Sequence, residues 1–227
     1  MNPQVRARKL DSLDISTWED VSAAFRHADF ANFQQHWRPE PELGFRSAKA
    51  GVVWTDDSLI VYAELCDDNI FNEIPEREFN RMSIANGDVF EIFLKPSGQE
   101  SYFEFHVNPN NQKLQLRLPC RDAWKVLKDR FKSPEELFES FKIWNPVIES
   151  RVEVLQGQWR VVAKIPISMM LEGEPVKAGT KWTFSFCRYD YTRPAEKPVC
   201  SSTSPHKTAD FHLLDDYGTL EFVESTK

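Results

Sequence analysis

Short segments with alternating apolar and polar residues dominate the sequence. In Tyr102–Val107 every second residue is Phe or Val, which is the period of a β-strand with one buried face. The Asp56-Asp57 pair lies between two apolar runs and predicts a hairpin turn. Further segments predict strands at 6–10, 52–54, 59–63, 89–94, 114–118, 151–155, 159–165, 182–189 and 220–223.

Segments with helical character are few. Ser133 is followed by Pro134 and, three positions on, by Glu136, a capping-box spacing that predicts a short helix. The segment 15–26 predicts a second, weaker helix. We therefore predict an all-β protein, a jelly-roll-like β-sandwich with one or two short helices. No internal repeat or linker divides the sequence, so we expect a single domain over 1–227.

Composition and charge exclude several function classes. The 227 residues include 28 Lys and Arg against 35 Asp and Glu, a net charge of −7, which argues against a nucleic-acid binder. No apolar run approaches the roughly 20 residues of a membrane span. The first 14 residues lack the apolar region of a signal peptide. We expect either a cytoplasmic protein or a chain whose leader has been removed.

The four cysteines suggest no metal or redox motif. None belongs to a Cys-x-x-Cys pair. Cys66 and Cys187 lie in strand-like segments and are expected to be buried thiols. Cys120 and Cys200 lie in loop-like segments, and a disulfide between them is an open alternative.

The order of several motifs resembles one known family. These motifs are DDSLIVYAELCDD, NGDVFEIFLKP, SYFEFHVNPNN, QWRVVAKIPISMM, KWTFSFCRYDY and FHLLDDYGTLEF. In this order they resemble the carbohydrate-binding module family 9-like proteins, over roughly 48–223. The resemblance implies a β-sandwich that binds the end of an oligosaccharide or polysaccharide without cleaving it. It also implies glycan-degrading partner enzymes and, as in some members, a structural calcium ion.

The resemblance also implies polar binding residues. Glu91 stands at the place of the carboxylate that hydrogen-bonds the sugar, and Asp88 precedes it by three positions. His106 stands at the place of a basic residue that provides a second polar contact. Hydroxyl groups of a sugar suit such side chains, whereas the alternative is a polar face of a sheet.

The aromatic residues of the family are only partly matched. Ala85 and Phe211 stand at the positions of two tryptophans that clamp the sugar ring, so Phe211 is the expected stacking residue, with His212 beside it. One of three other tryptophans is a candidate for the missing ring; these are Trp37, Trp124 and Trp144.

Arg188 is a further candidate because its planar fork of donors suits vicinal hydroxyls or a carboxylate. The alternative is an internal ion pair with Asp190 or Glu91. If Glu91, His106 and Arg188 converge, a negatively charged sugar such as a uronate becomes a candidate ligand.

Metal sites are less clearly indicated. Asp67-Asp68-Asn69 ends a strand with oxygen ligands, which suits calcium, but an Asx-type turn is the favoured interpretation. The five histidines have no tight spacing, so metal catalysis is not expected.

Three functions follow from these features. The first is a non-catalytic carbohydrate-binding domain. The second is a sandwich without sugar binding that contacts other proteins, which the missing tryptophans support. The third, less favoured, is a glycan hydrolase that uses Glu91 and Glu104 on neighbouring strands.

Overall fold

The computed structural model describes residues 2–191 and 197–225. The strands are β1 (Gln4–Lys9), β2 (Phe30–Asn32), β3 (Ala48–Trp54), β4 (Ser58–Cys66), β5 (Val89–Lys95), β6 (Tyr102–Val107), β7 (Lys113–Leu118), β8 (Glu149–Leu155), β9 (Gln158–Pro166), β10 (Lys181–Asp190), β11 (Val199–Ser202) and β12 (Gly218–Val223). The helices are α1 (Trp18–Phe25), α2 (Ala123–Val126) and α3 (Pro134–Phe141), and short 3-10 turns occur at Lys128–Arg130, Ile167–Met169 and Leu214–Asp216. Positions 192–196, which follow β10, lie outside the described residues.

The strands form one curled sheet that folds into a sandwich, which confirms the predicted fold class. The first half contains β7, β6, β5, β10 and β12 in that order, with β11 beside β10. The second half continues with β1, β3, β4, β9 and β8, with β2 beside β3. Among the described strands, β1 pairs in parallel with β12 and β3, and the other pairings are antiparallel.

The main core lies between the two halves. It receives every second residue of most strands, for example Phe90, Ile92 and Leu94 of β5. Trp159 and Trp182 are buried in this core. Residues of opposite phase on the same strands therefore face outward, away from the core.

Each half also carries a smaller apolar cluster on its outer face. Helix α1 covers the outer face of the second half, and its cap Thr17 accepts a hydrogen bond from the N–H of Asp20 at 3.1 Å. Helices α2 and α3 and the segment around 211–217 cover part of the first half. Ser133 caps α3 by accepting from the N–H of Glu136 at 3.2 Å, as the capping-box spacing predicts.

A glycine shapes the loop that leads into β5. Gly87 has φ +137°, and a Cβ there would lie 2.4 Å from the carbonyl oxygen of Phe71, so only glycine lets this loop pass beside the start of β5.

All four cysteines are free thiols, so the alternative of a disulfide between Cys120 and Cys200 is not realised.

Candidate functional site

A pocket of about 200 Å³ opens on the outer face of the first half. Glu91 of β5 reaches it because its phase is opposite to that of Phe90 and Ile92, which point into the core. Glu104 of the neighbouring β6 reaches the same pocket. Other parts of its wall come from the 82–84 segment, α2 and the 209–212 segment.

A buried cluster of two carboxylates and one imidazole forms the floor of this pocket. Glu91 and His106 are directly opposite each other in the β5–β6 register. The Nε2 atom of His106 lies 2.6 Å from Oε1 of Glu104 and 3.1 Å from Oε1 of Glu91. All three side chains are almost fully buried, so their electrostatic interactions are only weakly screened.

Burial and mutual charge shift the protonation of the cluster. Burial, with the nearby Glu104 charge, raises the pKa of Glu91 to about 8 although His106 opposes this. Burial also acts to raise the pKa of Glu104, but the hydrogen bond and charge of His106 bring it below its ordinary value. Burial acts to lower the pKa of His106, yet the two carboxylates raise it overall. At neutral pH the favoured state is an imidazolium paired with ionised Glu104 beside a protonated Glu91.

The cluster leaves polar atoms unsatisfied. The second carboxylate oxygen of each glutamate, Oε2 of Glu91 and Oε2 of Glu104, has no hydrogen-bond partner in the described part of the chain. A buried oxygen without a partner costs roughly 1–3 kcal/mol. Because both glutamates line the pocket, a ligand that donates hydrogen bonds there would remove this cost.

Aromatic and imidazole groups form the sides of the pocket. Trp124 is half-buried, and its ring stacks on Phe138 with centroids 5.9 Å apart. Nδ1 of His212 lies 2.9 Å from the hydroxyl of Tyr102, which leaves its Nε2 3.9 Å from Oε2 of Glu104. When the Tyr102 hydroxyl donates to Nδ1 of His212, the ring proton of His212 is on Nε2, the nitrogen on the side of Glu104.

The expected stacking residue is largely covered. Phe211 lines the pocket but is only 3% exposed, and its ring packs 5.5 Å from Tyr189 and 6.3 Å from Trp37, centroid to centroid. Ala85 is exposed, and its neighbours Met82 and Ile84 line the pocket instead.

The structure brings four of the six sequence-predicted residues together: Glu91, His106, Phe211 and His212. It does not bring Arg188 to them, because Arg188 shares the inner face of β10 with core residues. Its guanidinium donates to Asp67 at 2.9 Å and lies 3.0 Å from Asp190. This is the internal pairing with Asp190 foreseen as an alternative, so the condition for a uronate ligand is not met.

Asp88 also lies apart from the pocket. Its two carboxylate oxygens accept from the backbone N–H groups of Phe71 and Tyr191, both at 2.7 Å. Asp88 thus ties two loops to the start of β5. Burial, with the charges of Asp67 and Asp190, raises the pKa of Asp88 to about 7.

The calcium candidate at Asp67-Asp68-Asn69 is engaged by protein groups. One oxygen of Asp67 accepts from the N–H of Asn69 at 2.8 Å, the Asx-type turn, and the other accepts from Arg188. Asp68 pairs with Arg46. A guanidinium at this place disfavours a second cation, so these residues fit calcium poorly, and calcium in this protein stays a prediction.

Several residues that line the pocket were not among the predicted binding residues, and Glu104 and Trp124 are the two that the proposed function uses. Glu104 shares a strand face with His106 by simple alternation, so that signal was present in the sequence. Trp124 was one of three candidate tryptophans, and nothing in its local sequence distinguishes it, because its place depends on how α2 packs on the sheet.

Comparisons with known proteins give a consistent fold. A family 9 carbohydrate-binding module from Caldicellulosiruptor kristjanssonii in complex with cellotriose is 18% identical, with a TM-score of 0.61 over 99% of this chain and 96% of that chain. A structure of the same description with glucose is 16% identical, with a TM-score of 0.62 over 99% and 98%. A provisionally named carbohydrate-binding protein of Bacteroides uniformis ATCC 8492 is 15% identical, with a TM-score of 0.66 over 98% and 100%.

No family model and no curated protein matches the sequence. The structural likeness nevertheless confirms that this chain has the fold of the family 9 carbohydrate-binding modules. Within the described residues, no helix combines the length and hydropathy that a membrane span requires. Because a shared fold does not fix a function, the function is argued from the pocket.

Proposed function

We propose that this protein binds the terminal unit of an oligosaccharide or polysaccharide without cleaving it, in the pocket above Glu91 and Glu104. The observation that supports this most directly is the pair of buried carboxylate oxygens that lack a hydrogen-bond partner on two glutamates that line the pocket. Solved proteins of the same fold are carbohydrate-binding modules, and two of them hold cellotriose and glucose.

Each part of the pocket suits a sugar. Carboxylate oxygens accept hydrogen bonds from hydroxyl groups, and the half-buried ring of Trp124 offers an apolar surface to the C–H face of a pyranose. Pockets for drug-sized ligands measure about 300–1,000 Å³. At about 200 Å³ this pocket suits one sugar unit, with the rest of a chain extending into solvent.

The test is titration calorimetry against glucose, cellotriose and a panel of neutral and acidic oligosaccharides. The variants are Glu91→Gln and Trp124→Ala, and the matched control is Trp144→Ala, since Trp144 is an exposed tryptophan outside the pocket. We expect saturable binding of one glycan class that both pocket variants weaken and the control leaves unchanged, with folding checked by circular dichroism. Absence of binding to the whole panel would contradict the proposal.

A hydrolase is less well supported by the same geometry. Retaining glycosidases place two carboxyl groups about 5–5.5 Å apart on opposite sides of the scissile bond. Here Glu91 and Glu104 lie side by side on neighbouring strands and share one imidazole nitrogen. This leaves no room between them for a glycosidic bond, so we propose a binding protein rather than an enzyme. Association with glycan-degrading enzymes is part of the proposal.

One observation favours the alternative of a protein-contact domain. A groove of about 590 Å³ beside α3 is lined by Trp144, which is 53% exposed, together with Leu127 and Phe131. Large exposed apolar groups are common at protein interfaces. Loss of self-association or partner binding in Trp144→Ala, with sugar binding absent in the wild type, would favour this second function.

A further inference from the structure

Carboxyl groups predominate among the ionisable residues that line the pocket. Its described lining contains the carboxyl groups of Glu91, Glu104 and Asp210, one histidine, His212, and no lysine or arginine. The arginine that the sequence suggested for this place, Arg188, lies on the inner face of β10 instead. The pocket is therefore acidic.

The protein's own cation compensates only part of this charge. His106 holds one oxygen of each glutamate, through the same Nε2 atom. The other oxygens, Oε2 of Glu91 and Oε2 of Glu104, belong to side chains that are 2% and 4% exposed and have no hydrogen-bond partner among the described residues. Nε2 of His212 lies 3.9 Å from Oε2 of Glu104, beyond hydrogen-bond distance. An ionised carboxylate beside a second carboxyl group that can give up its proton is the arrangement that a positively charged donor completes.

We propose that the ligand is an amino sugar whose protonated amino group lies between the free oxygens of Glu91 and Glu104. This inference rests on the proposed function and names the substrate class of the same pocket. The ammonium group carries three N–H donors, so one group satisfies both oxygens and retains a donor for a water molecule or for the ligand itself.

Neutral sugars match the site less well. A hydroxyl group has one donor, so it satisfies one of the two oxygens, and it brings no charge. N-acetylation removes the charge and replaces two donors with bulk in a cavity of about 200 Å³. The ranking expected from the site is thus free amine first, hydroxyl second and N-acetyl last.

Protonation of Glu91 gives the inference a second readout. Titratable groups face Glu91 from each element packed against it: Glu104 and His106 of β6, Cys187 and Tyr189 of β10, Cys200 of β11, and Asp210 and His212 of the 209–212 segment. Burial raises the pKa of Glu91 to about 8, so the free protein holds a proton there at pH 7. An ammonium ligand favours the ionised carboxylate, so this proton is released when the amino sugar binds.

The experiment compares glucosamine, glucose and N-acetylglucosamine by calorimetry at pH 7, in two buffers with different ionisation enthalpies and with EDTA present. In the wild type we expect glucosamine to bind at least about tenfold more tightly than glucose, because hydrogen bonds to charged groups are the stronger ones. We expect the difference in apparent enthalpy between buffers to report proton release for glucosamine alone. Glu91→Gln should reduce the ratio of the two affinities toward one. Glu153→Gln, the same change on β8, should leave the ratio as in the wild type.

The outcomes separate the two proposals. Equal binding of glucosamine and glucose, or an unchanged ratio in Glu91→Gln, would overturn the amino-sugar inference and leave sugar binding in place. Ethylamine, a cation without a sugar ring, is titrated as a further control. If it binds as tightly as glucosamine, the sugar ring contributes nothing and the inference is overturned as well. Binding that appears only with added zinc would show that a metal ion is the missing cation and overturn the inference. No binding of any sugar would overturn the proposed function itself.

Discussion

Replacing Arg188 by methionine tests the idea that Arg188 stabilises the fold rather than holding a ligand. Its guanidinium is fully buried and lies within 3.0 Å of both Asp67 and Asp190, which are each 2% exposed. Methionine keeps most of the apolar stem and removes the charge. The two carboxylates then remain buried without the cation that faces them.

The expected cost at pH 7 is about 3–5 kcal/mol, the usual loss when one partner of a buried ion pair is removed. This is a large share of the roughly 5–15 kcal/mol that stabilises a folded domain. The matched control is Arg46→Met. Arg46 pairs with Asp68 at the surface, where the two side chains are 40% and 64% exposed, and such pairs contribute at most about 1 kcal/mol.

The cost should also depend on pH, with a defined sign. Burial raises the pKa of Asp190 to about 6, although Arg188 opposes this. Removing Arg188 therefore raises the folded-state pKa of Asp190 further above its unfolded value. Such a group contributes its full stability below the unfolded pKa and loses it as the pH rises through the folded pKa. The deficit of the variant should be smaller at pH 5 than at pH 7.

The assay is urea unfolding followed by tryptophan fluorescence at pH 5 and pH 7, with the slope m compared between proteins. If Arg188→Met does not fold, the double variant Arg188→Met with Asp190→Asn removes one of the uncompensated charges and should recover folding. A cost equal to that of Arg46→Met, or a deficit that is the same at both pH values, would refute the reasoning.

Three further predictions concern stability, each measured by urea unfolding. Gly87→Ala should cost about 2–3 kcal/mol because of its positive φ and the contact with the Phe71 carbonyl, whereas Gly98→Ala, with φ +79° and open space around it, should cost about 1 kcal/mol; equal costs would contradict this account. Burial raises the pKa of Glu91 from 4.5 to about 8, so between about pH 5 and pH 8 the wild type should lose about 1.4 kcal/mol per pH unit relative to Glu91→Gln, with no further loss above pH 8, and parallel pH profiles would count against it. Ser133→Ala should cost about 1 kcal/mol through the lost helix cap of α3, and an unchanged midpoint would show that the cap contributes nothing.

The fold was predictable because strand periodicity is a local property. Alternation within Tyr102–Val107 and the other predicted segments identified every described strand except the short β2 and β11, and the Ser133 capping box identified α3. What local patterns cannot supply is the pairing between distant strands. The position of β12 between β10 and β1 follows from packing of the whole chain, not from any segment of it.

The site was predictable only in part for the same reason. Period-two alternation gives the residues that share a face of one strand, but not which face of the sheet a pocket will use. Arg188 is two and four positions from Phe186 and Phe184 and so shares their face of β10, and only the folded sheet shows that this face points into the core. Conversely, the pairing of Glu91 with His106 required the β5–β6 register, which the connecting turn sets.

The place of β12 in the sheet has a consequence for synthesis of the protein. This last strand joins the two halves, since it pairs with β10 on one side and with β1 on the other, where Gln4 lies beside Thr219. At about 5–20 residues per second, a ribosome adds the intervening residues in roughly 10–40 s. Throughout this interval β1 lacks the partner that β12 will later provide, and β10 lacks it from its own synthesis until β12 is made. Chaperones that shield strand edges should therefore act on this protein until β12 emerges.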